Sequence, residues 1–192
     1  GITRMVDIDH YTKFAKDYSM AGQKAYIAPF LEHHPEIDDS AYIAQTAAVV
    51  GAVRIGKNST IWHQVTLRGD NHFITIGEGT NIQDNSCVHI NSRDYPTIIG
   101  NHVNIGHCAL VHACHLHDHA FVGMGSIVMD GAVIESDGML AAGAMLTPRK
   151  RIPSGELWAG RPARKMRDLT TNEIADNRRI ARHYVEVGRR HR

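Results

Sequence analysis

Three histidines in the middle of the chain, His89, His107 and His112, are the residues best suited to metal chemistry. Neutral imidazole is a common ligand for divalent metals. A structural zinc site usually takes four protein ligands, whereas a catalytic one takes three and leaves a position for water. Three histidines would fit the second kind. Around them in sequence stand Arg68, Asp70, Gln83 and Asp84. Side chains of these types orient imidazoles and hydrogen-bond small polar substrates. The chain carries 14 histidines, however, so a ladder of surface histidines is a competing reading. Spacing alone leaves both open.

The elements that must position these residues come from a repeat. An aliphatic residue recurs every six positions at Ile37, Ile43, Val49, Ile55, Ile61 and Leu67. After an insertion around Asn71 to Phe73 the register resumes at Ile76, Ile82 and Val88. A second insertion lies between Ser92 and Ile98, and Ile99, Ile105 and Val111 follow. One residue is then dropped, and the series runs on through Leu116, Val122, Val128, Ile134, Leu140 and Leu146. Neither helical periodicity nor simple strand alternation accounts for this series. A six-residue period is a solenoid signal, with short strands turning a corner at each repeat and the aliphatic residue inside. Small residues such as Ser59, Thr80 and Ala109 fit the corners. Three hexapeptides close one triangular coil, so the 18 anchors predict about six coils.

This register places side chains. On the third face, the residue after each anchor forms a column of Val50, Arg68, His89, His112, Met129 and Thr147. His89 and His112 are separated by one coil once the second insertion is removed, so they should stack about 4.8 Å apart. His107 follows Ile105 on the second face and should project near another corner. One chain is not expected to gather all three histidines. A threefold rotation would bring His107 of one subunit beside His89 and His112 of the next.

The rest of the chain frames the repeat. Residues 1–35 are read as an extension, 36–152 as the solenoid, and 153–192 as a turn region followed by a helix. From Asp7 to Met20, Ile8, Tyr11, Phe14, Ala15 and Tyr18 recur at helical spacing and predict a short amphipathic helix. Pro153, Gly155, Gly160 and Pro162 mark turns. Thr170 or Thr171 can cap a final helix with Glu173 in its first turn. Ile174, Ile180, Ala181, Tyr184 and Val185 give that helix one apolar face, to be packed on the solenoid or on a neighbouring subunit.

The net charge of +1 suggests neither nucleic acid nor an anionic membrane as partner. The apolar runs fall short of the ~18 residues of a membrane span. The first ten residues lack the apolar core of a secretory signal. Cys87, Cys108 and Cys114 form an odd set without metal or redox spacing, which suits a reducing compartment and a cytoplasmic location.

The segments LRGD (Leu67 to Asp70), NIQD (Asn81 to Asp84), Val88-His89 and IGHCALVH (Ile105 to His112) resemble the gamma-class carbonic anhydrase family. VGMGS (Val122 to Ser126) and SGELWAGRPAR (Ser154 to Arg164) are similar to its bacterial carbonic-anhydrase-like branch. The resemblance covers about residues 35 to 190 and implies an all-β left-handed parallel β-helix assembled as a homotrimer. It implies three interfacial metals, zinc by usual assignment and iron or cobalt as alternatives. His89 and His112 would come from one subunit and His107 from its neighbour. Arg68 and Asp70 would pair across subunits. Gln83 would hold the metal's water or bicarbonate, Asp84 would support it, and Tyr184 would lie near the metal. The implied reaction is reversible hydration of carbon dioxide by a metal-bound hydroxide.

The chain departs from the family's archetype at the proton-shuttle positions. Asn71 stands at one, and the insertion NSRDYPT supplies no glutamate at the other. His72 is the available substitute, against its reading as an ordinary surface histidine. Three further functions fit the same fold: a hexapeptide acyltransferase, a coenzyme A thioesterase, and a trimeric assembly or binding subunit without catalysis. An acyltransferase would not need a three-histidine cluster.

Overall fold

A computed structural model describes residues 24–192. The helix expected at Asp7–Met20 lies outside the described residues. The first strand described is Tyr26–Ala28, and it already belongs to the solenoid, where it pairs in parallel with the strand Ala48–Ile55.

Short parallel strands stack on three faces. The first face runs from Glu36–Ile37 to Arg151–Ile152. The second runs from Tyr42–Ile43 to the strand Glu156–Gly160. The third runs from Tyr26–Ala28 to Met145–Leu146. Each face has seven parallel rungs, so the left-handed parallel β-helix has about seven coils and not six. Three anchors escape the hexapeptide count: Ile27 before its start, and Ile152 and Trp158 past its end. Residues from 152 onward therefore continue the repeat for two more rungs before leaving it. The chain then turns back as the antiparallel strand Ala163–Asp168, which closes the lower edge of the second face.

The anchors form the core. From Val49 to Leu146 every one is at most 3% exposed, while Ile37 and Ile43 pack partly buried at the upper end. Each fully buried aliphatic side chain contributes about 1.5–3 kcal/mol relative to exposure. Corner hydroxyls satisfy the backbone where the strands break. Thr80 Oγ1 donates to the Gly100 carbonyl at 2.7 Å and accepts from the Val103 N–H at 3.0 Å. Ser59 Oγ does the same with the Gly77 carbonyl and the Thr80 N–H.

Two longer strands, Ala48–Ile55 and Thr66–Ile76, run around the corner between the third and first faces and join them into one sheet. Their backbones touch closely there. A Cβ on Gly51, whose φ is +78°, would lie 2.3 Å from the Gly69 carbonyl oxygen. The first insertion is carried in the second of these strands and places Asp70 beside the rung of His89.

The helix Thr171–His191 (α1) lies on the second face. Thr170 caps it, accepting from the Glu173 N–H, while the Glu173 carboxylate accepts from the Thr170 N–H. Tyr184 and His191 of α1 pack edge-on against Trp62, with ring centroids 5.7 and 5.3 Å away. Asn104 Nδ2 donates to the Asn177 carbonyl at 2.8 Å and ties the middle of the face to the helix. Gly188 permits the close approach, since a Cβ there would sit 2.4 Å from Thr60 Cγ2. Among the described residues no helix is long and apolar enough to cross a membrane.

Candidate metal centre

His89 and His112 occupy paired positions on adjacent rungs of the third face. Val88 and Val111 point into the core, so alternation turns both imidazoles outward. Their ring centroids are 5.3 Å apart, and His89 Nδ1 lies 3.3 Å from His112 Nε2. Each ring's other nitrogen meets a carboxylate. His89 Nε2 is 3.2 Å from Asp70 Oδ1, and His112 Nδ1 is 2.6 Å from Asp130 Oδ1. Asp70 in turn is paired with Arg68 of the same chain. The resemblance implied that this pair forms across subunits; within a single chain the two are already joined.

The electrostatics favour ligand-ready forms. Burial lowers the His89 pKa, with the Arg68 charge acting the same way, and these outweigh the opposing pull of Asp70. Burial pushes the Asp70 carboxyl up, but hydrogen bonds from Arg68 and His89 hold it below its ordinary range. Asp130 behaves alike: burial raises it, and contacts from Asn91 and His112 lower it further.

His107 lies apart from this pair. It follows the strand Asn104–Ile105 on the second face and sits at the corner before the third. Its Nδ1 is 3.0 Å from Asp84 Oδ2. Gln83, next to Asp84, is 7% exposed, and its Nε2 donates to Asn81 Oδ1 at 3.0 Å. Tyr184 of α1 belongs to the same corner: burial raises its pKa, and so does the Asp84 charge. The chain thus holds two separate clusters. One is His89, His112, Asp70, Arg68 and Asp130; the other is His107, Asp84, Gln83 and Tyr184. Among the described residues no group of three histidine, cysteine or acidic side chains converges on one point in a single chain.

The donor set fits a divalent metal. Asp70 and Asp130 each accept a hydrogen bond from the ring nitrogen turned toward them. The remaining nitrogens, His89 Nδ1 and His112 Nε2, then present lone pairs to each other across 3.3 Å. That contact is repulsive unless a cation lies between them. Two nitrogens on one tetrahedral zinc, each at about 2.0–2.1 Å, stand about 3.3–3.4 Å apart.

Sequence reasoning missed Asp130. The signal lay one position off the register: one coil after His112 comes Met129, and Asp130 directly follows it. Other histidines form ladders away from the site. His102 and His119 stack at 5.4 Å, and His115 and His117 at 4.0 Å.

No protein-family model matches the chain. Among curated proteins, gamma carbonic anhydrase 1, mitochondrial, of Arabidopsis thaliana is 46% identical over 162 residues, covering 82% of this chain and 59% of that protein. The chain therefore spans under three-fifths of the length of that relative. A carbonic anhydrase of Geobacillus kaustophilus is 39% identical over 162 residues, covering 84% of this chain and 88% of the relative. Among solved structures, a hexapeptide transferase family protein from Anaplasma phagocytophilum superposes with a TM-score of 0.82 at 49% identity, covering 85% of this chain and 96% of that one.

Proposed function

This chain belongs to the gamma carbonic anhydrase family, and on that premise we propose that it catalyses the reversible hydration of carbon dioxide to bicarbonate at metal sites shared between subunits of a homotrimer. The observation that carries the reading is the facing pair of imidazole nitrogens, His89 Nδ1 and His112 Nε2, each ring backed by its own aspartate. His107 is backed in the same way by Asp84, which leaves its Nε2 to point out of the chain as the third ligand. A histidine tied by one nitrogen to a carboxylate is the usual arrangement around protein-bound metals.

A threefold rotation about an axis beside the third face would set the His107 corner of one subunit against the His89–His112 column of the next. The exposed side of that face supports such contact. Leu110 is 38% exposed, and Met124 at its edge is 56% exposed.

Zinc is the proposed ion, with iron or cobalt as alternatives that the same imidazole set accommodates. When bound, the ion supplies Lewis acidity that lowers the pKa of water from about 15.7 toward about 7. The protein's own groups do the rest. Gln83 is anchored through Nε2 to Asn81, so its carbonyl oxygen and second N–H are free to hold water or bicarbonate. Asp84 fixes His107 and places negative charge near the Tyr184 hydroxyl. The Arg68–Asp70 pair holds His89 in place. The free cysteines Cys87, Cys108 and Cys114 suit the cytoplasm as the site of action.

The test is to purify the protein without oxygen, measure metal per chain, and follow carbon dioxide hydration by stopped flow. The expected result is about one metal per chain and hydration well above the buffer rate. His107→Ala should remove metal as fully as His89→Ala. A metal-loaded wild type that hydrates no faster than buffer would sink the anhydrase reading and favour the non-catalytic trimer.

A further inference from the structure

The insertion between His89 and Ile98 carries no glutamate to move a proton, and its contacts give it a different use. Asn91, at its start, donates from Nδ2 to Asp130 Oδ2 at 2.8 Å. The other oxygen of Asp130 meets His112 Nδ1 at 2.6 Å. The Asn91 amide cannot turn over, because its Oδ1 already accepts from the backbone N–H groups of Arg93 and Asp94 at 3.0 and 3.4 Å. At the other end of the insertion, Thr97 Oγ1 donates to the His89 carbonyl and accepts from the Ala113 N–H at 2.9 Å. The ring of Tyr95 lies over Gly131, next to Asp130, so that a Cβ on Gly131 would be 3.1 Å from it. The loop therefore grips both histidine rungs and the carboxylate beside them.

We propose that Asp130, oriented by the Asn91 amide, is a positioning residue that fixes His112 as the Nδ1–H tautomer and so turns its Nε2 lone pair toward the metal. The chain of donors has one consistent direction. The Asn91 N–H points to Asp130, and the Asp130 carboxylate, an acceptor only, requires a proton on His112 Nδ1. The insertion is then a clamp on the metal site. This inference rests on the metal reading above.

Asp130→Asn is the informative variant because it keeps the shape and breaks the direction. Facing the fixed Asn91 N–H, residue 130 would turn its own oxygen to Asn91 and its NH2 to His112 Nδ1. That forces the proton onto His112 Nε2 and removes the ligand lone pair. The double variant Asn91→Asp with Asp130→Asn restores the direction, since the amide at 130 can donate to the carboxylate at 91 and accept from His112.

Two measurements on the full-length assembled protein decide the matter. Zinc affinity is read by competition with a chelating dye, and the His112 tautomer by imidazole 15N shifts in the metal-free protein. The expected result for Asp130→Asn is zinc affinity weaker by about 10- to 100-fold, the usual cost of losing a partner behind a ligand histidine. Its His112 should switch to the Nε2–H form, and the double variant should recover both properties. Wild-type affinity and tautomer in Asp130→Asn would overturn the proposal, as would a double variant no better than the single one. A wild type that binds no zinc would instead defeat the metal reading, while the tautomer comparison still decides the role of Asp130.

Discussion

Each of the three candidate ligands carries its own aspartate: Asp70 on His89, Asp130 on His112 and Asp84 on His107. That threefold pairing separates them from the stacked ladders His102–His119 and His115–His117, whose rings face each other without such partners. Among the described histidines an aspartate at 2.6 to 3.2 Å from the ring is the discriminating feature, since His33 approaches its Glu32 neighbour only to 3.7 Å. Gln83 has a different task. Its amide is anchored to Asn81 and does not touch the histidines, so it should act on what the metal holds and not on the metal. Gln83→Ala is therefore expected to leave metal content unchanged and to lower kcat/KM by about 10- to 100-fold, the loss of one hydrogen bond to a charged group. Metal analysis alongside stopped-flow rates checks it, and a loss of metal in this variant would contradict the assignment.

At the scale of elements, the strands were legible because the inward anchor position of a closed triangular coil is filled by an aliphatic side chain at nearly every rung. All the anchors read from sequence point into the core or its upper end. The count fell one coil short where the signal thins. Ile27 stands before two prolines that break the period, and Ile152 and the aromatic Trp158 stand among turn residues. Asp130 is not legible from the column directly after each anchor, because it lies one position beyond Met129 and reaches back to His112. Of the two caps the sequence offered, Thr170 and Thr171, the helix uses Thr170, with Glu173 in its first turn. Hydrogen bonds from Arg167 and from the Thr170 backbone and hydroxyl hold the Glu173 carboxyl at about 2, below its ordinary 4.5. A depressed folded pKa means that its stabilisation is complete above about pH 4.5 and is lost as pH falls through about 2. Glu173→Gln should accordingly lower helix stability at neutral pH, and the gap from wild type should close as pH falls from about 4.5 to about 2. Thermal melts followed by circular dichroism across that range measure it, and a gap independent of pH would show that the cap does not depend on the charge.

At the scale of the whole molecule, the separation of His107 from the His89–His112 pair follows from the shape of the coil. His107 and His112 are five residues apart in sequence, yet the intervening chain is the corner and strand of one face, so their side chains leave the solenoid at different corners. No rotamer change in a rigid coil brings them together; a rotation between copies can. The hexapeptide register foretold this split because corner position depends on the phase of the repeat and on nothing else. The consequence is testable by mixing subunits. A trimer of His107→Ala chains lacks every third ligand, and a trimer of His89→Ala chains lacks one of every stacked pair. If the two variants are unfolded, combined in equal amounts and reassembled, random association gives an intact His89–His112 column facing an intact His107 at about a quarter of the boundaries. Bound zinc should rise from near zero in either variant alone to about a quarter of the wild-type amount, with hydration rising in proportion. A mixture that binds no more zinc than its parents would mean that the ligands of each site belong to a single chain, and the shared boundary site would have to be abandoned.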